Sequence, residues 1–211
     1  IYGSMWKHHE FWTSDNTDAY ERVFMQWGIG HLFPAISMAA HVTASPNHQT
    51  GRSAPLKFRF DVAMSGRLGF ELQPCDMTEE DMVFSKWALA EYKRIRPVVQ
   101  FGDLYRLSSP YESRVASLMY VYGKRAVVFA WLMDKWLADS PPPLRLKGLN
   151  PSARYLVREI NMNEDGSLTD VHERRLGGDF LMDAGIRIRW KKAFQSVSLE
   201  VMETNPDAPA S

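Results

Sequence analysis

The order of secondary structure is set near the start of the chain by the stretch Phe11-Trp12-Thr13-Ser14-Asp15-Asn16-Thr17-Asp18-Ala19. Its first three residues are β-prone, and the next five have the composition of a loop. Asp18 and Glu21 have the spacing of a capping box, and Val23 and Trp27 then supply an apolar stripe at helical spacing. The stretch therefore predicts a short strand, a polar loop and an amphipathic helix.

The same alternation continues along the chain from this stretch. Residues 37–44 and 66–72 are strand candidates, and residues 55–64 and 78–96 are helix candidates. Pro97 is expected to end the last helix at about Arg96. Three successive strand–helix pairs predict βα units on a parallel sheet. Three units make an open sheet, whereas a closed barrel of this kind has eight.

After Phe101 the pattern changes to short alternating runs separated by Gly, Pro and Asn. Residues 116–122 and 126–133 predict a hairpin. Residues 155–160 and 168–171 predict a second hairpin, with Asp-Gly in its turn. Residues 195–202 alternate and predict a closing strand. The second half of the chain therefore reads as an all-β domain.

Composition excludes some classes of function. Lys and Arg total 25, and Asp and Glu total 25, so no basic field points to nucleic acid. No apolar run is long enough to predict a membrane span. A single cysteine, Cys75, rules out a disulfide within the chain. The chain begins Ile-Tyr-Gly without an initiator methionine, so we expect the true start to lie upstream.

Two segments carry a more specific signal. The first segment is residues 11–22, and the second is residues 41–52 followed by residues 63–72. Both resemble the α-galactosidases of glycoside hydrolase family 36 in residue type, order and spacing. The similarity continues to about Leu107 and then more loosely through the segment Leu146-Lys147-Gly148-Leu149.

The resemblance implies a fold of class α/β plus all-β. Residues 1–100 would form the last three βα units of a (β/α)₈ TIM barrel, residues 101–204 a C-terminal antiparallel β-sandwich, and residues 205–211 a tail. Family members also carry an N-terminal β-domain and five earlier βα units. The sequence contains neither, so we expect the chain to be a fragment.

The resemblance also assigns a catalytic residue. A retaining glycosidase needs two carboxyl groups about 5–5.5 Å apart, one as nucleophile and one as acid/base. Asp15 occupies the position of the family's acid/base in its Trp-x-Ser-Asp segment. Asp18 is the rival carboxylate, although its spacing favours a helix cap. The family's nucleophile lies in a Lys-Trp-Asp segment. This chain has Lys135-Trp136 followed by Leu137, so the nucleophile is predicted to be missing.

Further candidates for contact with substrate lie near the predicted strands. They are Trp12, Ser14, Asn47, His48, Ser65 and Arg67. The alternatives are core packing for Trp12, loop hydrogen bonding for Asn47 and His48, and similar structural roles for Ser65 and Arg67. His8-His9-Glu10 lacks a metal-binding spacing, and we expect neither a metal site nor a cofactor.

The resemblance implies a retaining α-galactosidase that removes terminal α-linked galactose from oligosaccharides of the raffinose or melibiose type. The fragment alone is expected to be inactive. The alternatives are an α-N-acetylgalactosaminidase and a non-catalytic carbohydrate-binding or structural β-sandwich protein. The expected partner is an α-galactoside oligosaccharide, with no nucleic acid and no membrane. The sequence does not decide whether the complete enzyme is a homo-oligomer. It also leaves open whether the protein is cytoplasmic, periplasmic or secreted.

Overall fold

The computed structural model describes residue 3 and residues 5–135, 140–162 and 166–205. Contacts divide the chain into two compact units, Ile1–Phe101 and Gly102–Ser211. Each unit has its own sheet and is described by itself. Of the predicted tail, only Asn205 falls within the described residues.

The first unit contains a parallel sheet of three strands in the order β1-β2-β3, at Phe11–Trp12, Met38–Val42 and Arg67–Phe70. Trp12 pairs with Ala39, and His41 pairs with Gly69. Each strand is followed by a helix: α1 at Ala19–Ile29, α2 at Leu56–Met64 and α3 at Glu79–Phe101. The predicted alternation of strands and helices on a parallel sheet is confirmed.

Helix α1 buries one stripe of side chains, and two members of that stripe are polar. The stripe consists of Arg22, Val23, Gln26 and Trp27, which are all buried. The Nε2 of Gln26 donates to the carbonyl oxygen of Val62 at 2.9 Å, which satisfies one buried amide group. Arg22 is buried beside the loop after β1, where its contacts are described below.

The prediction that Pro97 ends the last helix was wrong, because α3 continues through Pro97 to Phe101. A proline inside a helix removes one hydrogen-bond donor and crowds the carbonyl four residues earlier. On either side of it, Ile95, Val98 and Val99 are almost completely buried. We attribute the continuation to this burial, which offsets the cost of the proline. No helix in the described part of the chain is long and apolar enough to cross a membrane.

The second unit is built on one antiparallel sheet of six strands. In chain order, strands β4 to β9 are Asp103–Ser108, Val115–Tyr122, Arg125–Leu132, Arg154–Ile160, Arg174–Gly177 and Ser196–Thr204. Their order across the sheet is β4-β5-β6-β9-β7-β8. Strands β5 and β6 form the first predicted hairpin, with eight residue pairs from Val115–Leu132 to Tyr122–Arg125. Strand β9 lies between β6 and β7 and pairs with both.

The second predicted hairpin was wrong. Strand β7 pairs with β8 at Arg174–Gly177, and not with residues 168–171. Thr169 instead forms an isolated bridge with Ile188. Residues 163–165 of the predicted turn lie outside the described residues.

One face of this sheet is covered by irregular segments and one short helix, α4, at Gly178–Asp183. In the described part of the unit, the covering layer carries only the isolated bridges Leu144–Ile186 and Thr169–Ile188. Its apolar side chains join those of β5, β6, β7 and β9 in one core cluster. An antiparallel sheet domain is therefore confirmed, while a sandwich of two sheets stays a prediction.

Candidate active site

The loop between β1 and α1 presents Asp15 to solvent. The residues on either side of Asp15 are fixed: Ser14 Oγ accepts from the backbone N–H of Asn16 at 3.1 Å, and Asn16 Nδ2 donates to Glu21. Asn16 Oδ1 also accepts from the N–H of Asp18 at 3.0 Å. Among the described residues, nothing forms a hydrogen bond or ion pair with the exposed Asp15 carboxylate. The loop therefore holds a free carboxyl group on an ordered backbone.

Asp18 has a structural role in the same loop. It is the N-cap of α1, and its Oδ1 accepts from the N–H of Tyr20 at 2.9 Å. Its Oδ2 accepts from Thr50 Oγ1 at 2.8 Å and pairs with the Arg52 guanidinium, and only 2 % of Asp18 is exposed. The predicted cap is confirmed. Glu21 bonds to Asn16, so Asp18 is anchored instead by the loop after β2.

We expect Asp18→Asn to lower the free energy of unfolding by about 1.5–3 kcal/mol, since hydrogen bonds to charged groups have this magnitude. The amide oxygen can still cap Tyr20, but it cannot balance the charge of Arg52. Denaturant unfolding of the chain measures the change. Asp76→Asn, at an exposed position of the same unit, is the control. An equal loss at Asp18 and Asp76 would contradict a contribution from the buried ion pair.

The loop after β2 contacts the Asp15 loop through Asn47. Only 5 % of Asn47 is exposed, and its Nδ2 donates to Thr17 Oγ1 at 3.0 Å. Its Oδ1 accepts from the N–H groups of Gln49 and Thr50 at 2.9 and 3.0 Å. This geometry favours the loop hydrogen-bonding alternative for Asn47. His48, the next residue, is exposed.

Side chains from β1, from β2 and from the residue after β3 meet near Trp12. Its ring lies 4.4 Å from the His41 ring between centroids, and His41 Nδ1 lies 2.9 Å from Glu71 Oε1. A Cβ on Gly69 would overlap the His41 imidazole, so glycine leaves the space that this ring occupies. The guanidinium carbon of Arg22 lies 4.4 Å from the centroid of the Trp12 ring. Of these four side chains, the sequence pointed to Trp12, and the positions of Arg22, His41 and Glu71 become evident only in the fold.

Arg22 is a buried cation in this cluster. Burial lowers its pKa to about 10, and the nearby charge of Glu71 opposes that shift. A guanidinium with this pKa is protonated at neutral pH. The cluster therefore contains a permanent positive charge on the helix that follows the Asp15 loop.

Ser65 and Arg67 lie elsewhere in the unit. Ser65 is buried, and its Oγ accepts from Gln26 Nε2 at 3.0 Å. Arg67 begins β3 and forms an ion pair at 2.7 Å with Glu10, which precedes β1. Because the strands are parallel, Glu10 and Arg67 mark the amino edge of the sheet, whereas Asp15 follows a carboxyl end. The structure does not bring Ser65 and Arg67 to Asp15.

Four other carboxylates near the sheet are bound by protein groups. The pairs are Glu10 with Arg67, Asp18 with Arg52, Glu21 with Asn16 and Glu71 with His41. Asp134 and Lys135 follow β6 in the second unit, and Trp136 and Leu137 lie outside the described residues. Of the carboxylates named here in the first unit, Asp15 is the one without a hydrogen bond or ion pair among the described residues.

The described residues contain no group of three or more His, Cys, Asp and Glu side chains placed to hold a metal ion. The group that the β1–α1 loop offers for chemistry is the exposed Asp15 carboxyl group. An aromatic ring and an imidazole lie beside the neighbouring strands.

The described residues thus form a parallel βα unit, with an exposed carboxylate after a strand end, and an antiparallel β unit that follows it in the chain. The Melibiase family model matches residues 2–102, and the model of the glycosyl hydrolase family 36 C-terminal domain matches residues 115–201. The chain belongs to glycoside hydrolase family 36.

Relatives of known identity agree with this assignment. The chain is 38 % identical to α-galactosidase AgaA of Geobacillus stearothermophilus, over 90 % of this chain and 25 % of that protein. It is 36 % identical to α-galactosidase 2 of Hypocrea jecorina, over 88 % of this chain and 24 % of that protein. The chain spans about a quarter of the length of these relatives.

Solved structures show the same similarity. The crystal structure of AgaA from Geobacillus stearothermophilus superimposes with a TM-score of 0.82 at 37 % identity, covering 92 % of this chain and 26 % of that one. The galactosidase domain of the α-galactosidase–sucrose kinase AgaSK gives a TM-score of 0.85 at 30 % identity, covering 96 % of this chain and 27 % of that one. Variants of AgaA have been solved in complex with raffinose and with stachyose.

Proposed function

We propose that this chain is the acid/base-bearing part of a retaining α-galactosidase that removes terminal α-linked galactose from raffinose-type oligosaccharides. The observation that carries the proposal is Asp15, an exposed carboxylate without a protein partner among the described residues, within the part matched by the Melibiase model. The substrate class is supported by the raffinose and stachyose complexes of AgaA variants.

The finer fold belongs to the same proposal. The three βα units would be the last three of a (β/α)₈ barrel, and the antiparallel unit would be the C-terminal β-sandwich domain of the family. In such a barrel, catalytic residues lie just after the carboxyl ends of different strands. Asp15 follows β1 in this way, and the nucleophile would come from a strand that this chain does not contain.

The reaction would proceed in two steps with Asp15 active in both. A carboxylate outside this chain attacks the anomeric carbon, the glycosidic C–O bond breaks, and Asp15 gives its proton to the departing oxygen. Asp15, now ionised, then takes a proton from water. The water oxygen bonds to the anomeric carbon, and the first carboxylate leaves. Galactose is released with its configuration retained.

The other predicted contacts receive unequal support from the geometry. Trp12 offers an aromatic ring beside the strand ends, and Ser14 directly precedes Asp15, so both fit the proposed site. His48 is exposed in the loop that contacts the Asp15 loop through Asn47. The bonds of Asn47 favour a role in ordering that loop.

The competing functions differ in simple observables. An α-N-acetylgalactosaminidase would share Asp15 and the fold, and would prefer a substrate with an N-acetyl group at carbon 2. A non-catalytic carbohydrate-binding protein would retain sugar affinity without turnover. The relatives' names favour the α-galactosidase.

The test compares this 211-residue chain with a polypeptide of the relatives' length that carries it. We expect the longer protein to hydrolyse raffinose and an aryl α-galactoside, with α-galactose as the first product by proton NMR. We expect the isolated chain to show no turnover, because it lacks a nucleophile. Turnover by the isolated chain that survives Asp15→Ala would contradict the assignment, as would β-galactose as first product.

A further inference from the structure

The β1–β2 pairing stops early, and an arginine occupies the place where it stops. The paired residues are Phe11–Met38 and Trp12–Ala39, after which β1 continues into the Asp15 loop. Arg22 Nη2 donates to the carbonyl oxygen of Ala39 at 3.2 Å. A helix side chain thus supplies a donor to the strand carbonyl at which the pairing ends.

The same guanidinium holds the backbone that leads to Asp15. Arg22 Nη1 donates to Thr13 Oγ1 and, at 3.4 Å, to the carbonyl oxygen of Ser14. Ser14 directly precedes Asp15, whose carboxylate has no hydrogen bond among the described residues. The position of the Asp15 side chain is therefore determined by its backbone, and Arg22 is one of the groups that fix this backbone.

Because the Arg22 guanidinium is buried, leaving its N–H groups without hydrogen-bond acceptors would cost free energy. Only 2 % of Arg22 is exposed, and burial lowers its pKa to about 10. A buried cation is tolerated when its donors are satisfied, and the planar guanidinium can satisfy several acceptors at fixed angles. Arg22 also lies over the Trp12 ring, which in turn contacts His41, held by Glu71.

We propose that Arg22 is a positioning residue for the reaction: its fork to Thr13, Ser14 and Ala39 sets where Asp15 stands relative to the substrate's leaving oxygen. The inference rests on the proposed function. It adds a residue that acts through Asp15 and does not itself touch the reacting atoms. A displaced acid/base transfers its proton poorly even when the protein is fully folded.

The next βα unit provides a matched control. Arg59 lies on α2, its pKa is likewise lowered by burial, and its guanidinium donates to the carbonyl oxygens of Thr43 and Ala54 at 2.5 and 3.1 Å. It therefore holds the chain after β2 much as Arg22 holds the chain after β1. Among the described residues, Arg59 forms no hydrogen bond with the Thr13–Asp15 segment.

The experiment measures kcat/KM on raffinose and on an aryl α-galactoside for Arg22→Lys, Thr13→Val, Arg59→Lys and Asp15→Ala in a polypeptide of the relatives' length. Arg22→Lys keeps the positive charge but loses the planar guanidinium that donates to three acceptors. We expect raffinose activity to fall by roughly 10–100-fold, the scale of a small misplacement of a catalytic group. Aryl galactoside activity should fall by no more than about threefold, since a good leaving group needs little protonation. Azide should accelerate the aryl reaction.

The ratio of the two activities does not depend on the fraction of folded protein, so a destabilised variant still gives an answer. Thr13→Val removes one acceptor with little change of shape, and it should shift the ratio in the same direction if Arg22→Lys fails to fold. Arg59→Lys should leave the ratio unchanged. If Arg22→Lys and Thr13→Val also leave it unchanged while Asp15→Ala shifts it, Arg22 is merely structural and the inference is overturned. An inactive parent, or no shift for Asp15→Ala, would overturn the proposed function and this inference together.

Discussion

Replacing Asp15 with alanine in a polypeptide of the relatives' length is expected to reduce kcat/KM for raffinose by roughly 10²–10⁴-fold, the contribution of a positioned general acid/base. An aryl α-galactoside should lose much less in the first step, because its leaving group departs without a proton. The second step loses its base with either substrate, so a covalent galactosyl-enzyme should accumulate with the aryl α-galactoside, whose first step stays fast. Steady-state kinetics on both substrates, with intact-protein mass spectrometry for the intermediate, measure these effects.

Asp18→Asn is the matched control for this experiment, because Asp18 is the other carboxylate of the loop. It is buried and paired with Arg52, so its loss should lower stability and affect both substrates equally. Added azide should accelerate the aryl reaction of Asp15→Ala, since it attacks the intermediate without giving up a proton. If Asp18→Asn shows the leaving-group dependence and azide rescue while Asp15→Ala does not, the two roles have been exchanged.

The local order of elements could be predicted because it is set by short-range patterns. The loop after β1, the cap at Asp18 and the β5–β6 hairpin depend on residues only a few positions apart. Pro97 was misjudged because its local cost is offset by the burial of Ile95 and Val98, which no local pattern reveals. The partner of β7 was misjudged for a similar reason, since pairing with β8 is decided by the packing of the whole sheet.

The candidate site likewise contains residues that the sequence predicts and residues that only the fold reveals. Asp15 could be proposed from its loop and its family resemblance, and the structure adds that its carboxylate is exposed. The role of Arg22 could not be predicted from the sequence, because an arginine in the first turns of a helix normally lies on the solvent face. The one sequence feature that indicates burial of Arg22 is its position in the helix. It lies next to Val23 and one turn before Gln26 and Trp27, which belong to the same buried stripe. His41 and Glu71 are 30 residues apart, and only the parallel register brings them together.

We expect Phe129→Ala to lower the free energy of unfolding of the antiparallel unit by about 3–5 kcal/mol, the usual cost of truncating a buried phenylalanine. Phe129 lies on β6, which pairs with β5 on one side and β9 on the other. Its side chain is fully buried and stacks on Trp131 at 5.9 Å between ring centroids. Guanidinium unfolding followed by tryptophan fluorescence and circular dichroism measures the loss.

Phe180→Ala makes the same chemical change at a different place in this unit. Phe180 lies on α4, and 46 % of it is exposed, so its truncation should cost about 1 kcal/mol. The difference between the two variants measures what complete burial on β6 adds to the same truncation at a half-exposed position of α4. Equal losses would contradict the expectation that the buried ring of Phe129 stabilises the unit more than the half-exposed ring of Phe180.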